Sequence, residues 1–331
     1  MLLFRRLLTL IAAVVVIGTG AVVANASVYD TPGGQIQNGR LWNTECEMYS
    51  SNVVRCRTEI WATQVVYHQG TYQRVTGWTF NNLTYLPSPR AAWADNNLGH
   101  SDGPNVVWTS SGRSWRTECD TPNTGRGACR SYILADVATA TVVGGRWVYS
   151  TQRKWVFNNL VLFSSPTIPP VTSVPAHILD QSVLTHTGFG PLGLNARTSD
   201  LQKLGYIDWK STSVCEYWDV SSDLANRGIA LTYNNNAYVM EVILTRAGEQ
   251  TAAGAQVGMT LDEVRAIYGA SAVKLETKDG YEPVYVAVVD QGRYELVFVS
   301  SFELSRPMVG TDRISMIIAR EATDWLGWDG C

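Results

Sequence analysis

The residues of this chain that could do chemistry are six cysteines, four histidines and a scatter of carboxylates and hydroxyls. Cys46 and Cys56 have nine residues between them, as do Cys119 and Cys129, and Cys215 and Cys331 complete the set. Structural zinc uses Cys or His pairs about two to four residues apart with more ligands close by. These gaps do not fit it, and His68, His100, His177 and His186 fall in no metal spacing. No metal and no cofactor is expected. Six cysteines in an exported chain suit three disulfides, which leaves no thiolate nucleophile. No G-x-S-x-G elbow occurs. Ser271-Ala272-Val273-Lys274 has the S-x-x-K spacing of a serine activated by lysine, without the other elements such a site needs. Glu45 and Glu118 are the acids duplicated in an identical context. They are either an acid and base pair for glycoside hydrolysis or partners of backbone and of Arg57 and Arg130. The grammar is that of a non-catalytic protein, with a hydrolase as the residual alternative.

Those cysteines belong to a repeat. Gly39-Arg40-x-Trp42-x-Thr44-Glu45-Cys46 and Cys56-Arg57 return 73 residues later as Gly112-Arg113-x-Trp115-x-Thr117-Glu118-Cys119 and Cys129-Arg130. Trp78-Thr79-Phe80-Asn81-Asn82-Leu83 returns 77 residues later as Trp155-Val156-Phe157-Asn158-Asn159-Leu160. The later copy therefore carries four extra residues between its cysteines and its tryptophan. A pair that duplicates with its unit must close inside it, so Cys46 pairs with Cys56 and Cys119 with Cys129, leaving Cys215 for Cys331. Period-two alternation from Cys56 to Tyr67 and from Arg130 to Val142, with turns at Gly70 and Gly144-Gly145, predicts an antiparallel meander of about three strands per unit. Units this small have little core, so the two copies are expected to pack on one another. Asn81-Asn82 and Asn158-Asn159 are expected to end strands.

The matched tryptophans Trp42, Trp78, Trp115 and Trp155 read as core, or as rings stacking on sugars; Trp61, Trp93, Trp108 and Trp147 lie outside the match and are candidates for exposure. A cell-wall glycan is thus a possible ligand of the duplicated units.

Residues 1–26 read as an export signal: Arg5 and Arg6, an apolar run from Leu7 to Val23, and Ala24-Asn25-Ala26 as cleavage site. The alternative is a retained anchor. Beyond it lie the units at 33–88 and 105–165, a proline-rich connector at 166–176 and an acidic domain at 177–331. Residues 27–165 hold 12 Lys and Arg against 9 Asp and Glu, and residues 166–331 hold 12 against 20. The basic excess forms no cluster along the chain, which argues against nucleic acid. A secreted or cell-envelope location follows, without stable membrane insertion once the signal is cleaved.

In the acidic domain a helix follows Thr198-Ser199-Asp200. A second spans Leu261 to Tyr268, with Thr260 and Glu263 spaced as a capping box and Gly269 as its stop. Strands follow each, giving an α+β domain of two helix-plus-antiparallel-sheet repeats behind an all-β duplicated domain.

Gly258-Met259-Thr260-Leu261-Asp262-Glu263-Val264-x-x-Ile267-Tyr268-Gly269 resembles the helical entry of the beta-lactamase inhibitor protein superfamily and of SmpA/OmlA-type envelope lipoproteins. Gly190-Pro191-Leu192-Gly193-Leu194-Asn195 with Leu201 and Leu204-Gly205 resembles a first copy of that entry. The duplicated units resemble secreted actinobacterial proteins of unassigned role. The first resemblance implies a protein that grips a protein partner through aromatic side chains on a concave sheet. The candidates are Trp209, Tyr217, Trp218, Tyr233, Tyr238, Tyr285, Tyr294 and Phe298.

Overall fold

The computed structural model describes residues 27–103, 106–125, 127–164, 174–211, 216–234, 237–279, 283–301 and 305–323. The expected export signal, the Cys215 to Cys331 bridge and most of the connector lie outside them. The protein is mostly β, 58% strand against 10% helix, with antiparallel pairing in its sheets apart from one parallel pair. Among the described residues no helix is long and apolar enough to cross a membrane.

Each duplicated unit is a four-stranded antiparallel meander, one strand more than the alternation predicts. The first comprises β1 (Gly33–Gln37), β2 (Arg40–Ser50), β3 (Val53–His68) and β4 (Thr71–Pro89). The second comprises β5 (Val106–Ser110), β6 (Arg113–Cys119), β7 (Ala128–Val143) and β8 (Arg146–Ser164). Four tight turns join them at Asn38-Gly39, Gln69-Gly70, Ser111-Gly112 and Gly144-Gly145, and both residues of each have positive φ. That backbone matches the right-handed twist of the flanking strands. It explains why Gly39 and Gly112 recur in the repeat.

The units do not pack face to face. The last strand of each copy pairs with its equivalent in parallel, Leu83 with Asn159 and Tyr85 with Val161, so one eight-stranded sheet runs β1-β2-β3-β4-β8-β7-β6-β5. Mirror-image order with parallel central strands is a pseudo-twofold axis along the strands, and it inverts the faces: Leu83, and not its neighbour Asn82, shares a face with Asn159. The segment ahead of each unit then covers a different face. Thr44 and Thr58, bonded at 3.0 Å, lie under the Val28 carbonyl. Their counterparts Thr117 and Ser131, at 2.9 Å, lie under the carbonyls of Asn97 and Leu98. Trp93 is buried on the second face against Tyr85, its indole N–H donating to Ser88 at 2.9 Å.

The asparagine pairs do not end their strands. Asn81 and Asn158 are the extra residues of a bulge repeated in both copies, while Asn82 and Asn159 are buried within β4 and β8. The two disulfides expected within the units form between residues directly opposed across β2/β3 and β6/β7, with Cα atoms 4.0 Å apart. Their chemistry is that of an oxidising, extracytoplasmic environment.

The acidic domain begins with the short strands β9 (Leu184–Thr185), β10 (Gly188–Phe189) and β11 (Leu192–Gly193), then α1 (Thr198–Lys203). The hairpin β12 (Ile207–Ser211) and β13 (Glu216–Val220), α2 (Ser222–Arg227), β14 (Ile229–Asn234) and β15 (Tyr238–Leu244) follow. The chain continues through α3 (Leu261–Tyr268), β16 (Val273–Lys278), β17 (Val284–Gln291), β18 (Tyr294–Val299) and β19 (Met316–Glu321). The Thr260/Glu263 capping box is formed in both directions. One antiparallel sheet, ordered β14-β15-β19-β18-β17-β16, takes two strands from the first half and four from the second. One face carries Leu179, Phe189, Leu201, Leu261 and Phe298; the other carries Ile243, Val286, Val297 and Ile318.

The two modules touch along the β1 backbone and at the start of the outer half of β3, where the Lys203 ammonium lies 5.1 Å over the Trp61 ring. Ile178 donates its N–H to the Pro32 carbonyl at 2.8 Å, and the Tyr206 hydroxyl donates to the Gly34 carbonyl at 2.7 Å. A Cβ on Gly33 would come within 2.5 Å of His177 Nε2, and one on Gly34 within 2.9 Å of Leu204. His177 Nδ1 accepts the Leu179 N–H at 3.2 Å, a bond only the neutral ring can make. Burial holds this imidazole below its ordinary 6.5, with Arg227 acting in the same direction and Asp223 and Asp180 opposing.

Two outcomes are expected. Replacing Cys46 and Cys56 by serine should cost about 2–3 kcal/mol in urea unfolding, as should replacing Cys119 and Cys129, because each bridge closes a short loop; the two losses should add. Because the folded pKa of His177 is depressed, the module contact should be complete above pH 6.5 and weaken as pH falls from there through the folded value. Hydrogen-exchange protection of the Ile178 amide, corrected for intrinsic rate, should show this fall. His177→Gln, whose amide oxygen can still accept the Leu179 N–H, should flatten it, whereas His186→Asn should not.

Candidate functional site

The eight aromatic candidates are not gathered on one concave face. Phe298 is fully buried among Leu296, Ile317 and Tyr268, so it is core and offers no contact surface. The reason is alternation: on β18, residues 294, 296 and 298 share a face, and the helices and loops of the domain already cover its centre. Tyr294 and Tyr285, nearer the ends of their strands, are half-buried. Tyr238 is exposed at the start of β15, and Tyr233 is half-buried against the core. The Tyr233 hydroxyl has no hydrogen-bond partner among the described residues. Burial, then the charge of Asp219, pushes its pKa up, so it remains a phenol. Nothing is described of the Tyr217 side chain.

Trp209 and Trp218 do come together. They are directly opposed on the β12/β13 hairpin, edge to face at 5.0 Å between ring centres. Trp218 packs against the core while Trp209 is 39% exposed. The hairpin is a separate two-stranded sheet beside β14. An aromatic anchored on one side and open on the other is the form interface hot spots take.

The catalytic candidates separate. Glu45 lies on β2 and Glu118 on β6, with β3, β4, β8 and β7 between them, about 24 Å at the usual strand spacing. Paired glycosidase carboxylates lie within about 10 Å. Glu118 is buried and accepts the Tyr132 hydroxyl at 2.7 Å, whereas Glu45 is exposed. Ser271 and Lys274 would meet only on a helical turn. The chain instead runs into strand β16, and Lys274 pairs with Asp290 at 3.4 Å. His100 bonds Asp102 at 2.9 Å in an open cleft of about 450 Å³ that Arg90 and Asp120 also line. Among the described residues no three His, Cys, Asp or Glu side chains converge to hold a metal ion.

The matched tryptophans are half-buried rather than core, and each has a ring neighbour or a cation on it. Trp42 meets Tyr29, Trp78 meets Trp61, Trp115 stacks on Trp108, and Arg116 lies over Trp155. Of the unmatched four, Trp93 is buried and Trp147 is 47% exposed.

Sequence reasoning missed how the long hairpins end. Tyr72 stacks on Tyr149 at 5.4 Å and bonds Thr151 at 2.9 Å, and the Arg74 guanidinium lies 4.0 Å over the Trp147 ring. The four-residue excess of the second copy was the available signal, since Tyr72 and Tyr149 stand 77 residues apart. Compared with known proteins, the chain matches no family model, no curated protein and no solved structure.

Proposed function

We propose that this is a secreted or envelope-located, non-catalytic binding protein whose acidic domain holds a protein partner through the tryptophan hairpin β12/β13. The observation that carries the reading is the Trp209/Trp218 pair, one ring seated on the core and the other open to solvent. A ring immobilised before binding loses little conformational freedom when a partner covers it. The net negative charge of this half suits a basic partner surface. The inhibitor-superfamily resemblance of residues 258–269 points the same way, although the aromatic set it implies contracts to this hairpin and Tyr238. Glycan binding by the duplicated tryptophans has less support, because their neighbours occupy ring surface that a sugar would need.

The test is capture from envelope and secreted fractions with the oxidised full chain, followed by titration of the captured protein. Trp209→Ala should weaken binding on the order of tenfold or more, with the unfolding midpoint little changed. Equal affinity for the variant would remove the hairpin from the interface.

A further inference from the structure

One surface is used by neither the tryptophan hairpin nor the module contact. Strand β2 leaves β3 at Ile60 and β6 leaves β7 at Ile133, so the outer halves of the hairpins β3/β4 and β7/β8 have no flanking strands. They stand as a blade, held together by the Tyr72/Tyr149 stack and the Arg74/Trp147 contact. The four extra residues of the second copy lengthen its hairpin by two residue pairs, Val142 with Trp147 and Val143 with Arg146, beyond the level of Tyr149. That overhang is apolar and open: Val142 is 57% exposed, Val143 61%, Trp147 47% and the adjoining Val148 49%. Tyr67, 58% exposed, ends the shorter hairpin beside it.

Two features of this tip select its partner. Successive side chains of a strand point to opposite faces, so Val142 and Trp147 lie on one face while Val143 and Val148 lie on the other. A groove in a protein covers one face of a ribbon, whereas a medium that surrounds the end covers both. The second feature is charge. The blade carries Arg74, Arg146, Arg153 and Lys154 against the single acid Asp136, in a chain whose net charge is −3. An apolar tip with the Arg74 and Arg146 guanidiniums beside it, and tryptophan among its side chains, suits the headgroup zone of an anionic bilayer. Aliphatic groups there reach the acyl boundary and the cations stay at phosphate level.

We infer that the paired hairpin tips dock the protein on an anionic phospholipid surface, with Val142, Val143, Trp147 and Val148 dipping into the interface and Arg74 and Arg146 engaging phosphates. The contact is peripheral and spans nothing. It is independent of the proposed tryptophan-hairpin interface.

The test uses the oxidised chain from residue 27 onward and co-sedimentation with vesicles of phosphatidylcholine alone or of phosphatidylcholine and phosphatidylglycerol in equal parts. Wild type should partition to the mixed vesicles and not to the neutral ones, and added salt should weaken it. The triple variant Val142→Ser, Val143→Ser, Val148→Ser should lose on the order of tenfold or more in partitioning, since each change removes an inserted apolar group. Arg146→Gln should weaken partitioning and flatten its dependence on anionic lipid content, since one phosphate-level cation is lost. Val107→Ser, at a 60% exposed valine on the distant edge strand β5, should change nothing, and all variants should keep the wild-type unfolding midpoint. Failure of wild type to bind mixed vesicles would overturn the inference, as would equal loss in the Val107 variant. So would binding to an anionic wall polymer without vesicle binding, or a dimer in lipid-free solution that the triple variant dissolves. Trp209→Ala should leave partitioning untouched, which separates failure of this inference from failure of the protein-partner reading.

Discussion

The parallel pairing of β4 with β8 is the constraint on which the duplicated half depends. Two copies of one meander could have met as sandwich layers, each burying a face on the other. Joining equivalent central strands instead makes one continuous sheet with both faces to protect, and the twofold relation means that no single layer can protect both copies. Hence the arm before the first unit covers one face and the connector before the second covers the opposite one, each capping the same buried hydroxyl pair with backbone carbonyls. The disulfides cross-link β2 to β3 and β6 to β7 just outside this seam, and Cys56 and Cys129 are fully buried. A small fold short of core depends on such cross-links.

Features governed by neighbours in sequence were legible. The disulfides could be paired because a bridge that travels with its unit must close within it. Two of the four two-residue turns, at Gly70 and Gly144-Gly145, announced themselves by glycine, and the Thr260/Glu263 box by its spacing. What needed long-range information was not legible. Nothing in either copy says whether the copies stack or share an edge, because the choice is made by hydrogen bonds between residues 76 apart. Asn81 and Asn158 looked like turn residues, since asparagine tolerates turn backbone; in the sheet that tolerance serves a bulge. The aromatic candidates failed similarly. Phe298 and Trp209 are equivalent as letters, and only the six-stranded sheet buries one and leaves the other open.

The charge reading shows the same limit from the other side. Along the chain the basic residues of the first half are scattered, and scatter argues against a polyanion partner. Folding returns strands to the same end of the sheet, so Arg74 on β4 and Arg146, Arg153 and Lys154 on β8 share one blade. A hairpin turns sequence separation into spatial proximity, and a pair of hairpins does so twice.

The clearest guide to what each part does is where the copies differ. Gly33 and Gly34 of β1 correspond, at the 73-residue offset, to Val106 and Val107 of β5. Those glycines let the acidic domain approach the β1 backbone closely enough for Tyr206 to reach a carbonyl; valines would push it away. The first copy can therefore carry the acidic domain and the second cannot, although the framework is shared. The second copy in turn owns the longer hairpin, and its additional residue pairs bring three exposed apolar side chains, Val142, Val143 and Trp147, together with Arg146. Residues the copies share, Trp, Cys, Thr and Asn, build the frame; residues they do not share make one copy a seat for the neighbouring domain and the other the end that meets the surroundings. Each divergence is small, two missing side chains in one place and two added pairs in another. A symmetric scaffold thereby gives two unlike attachment points on opposite sides of one seam.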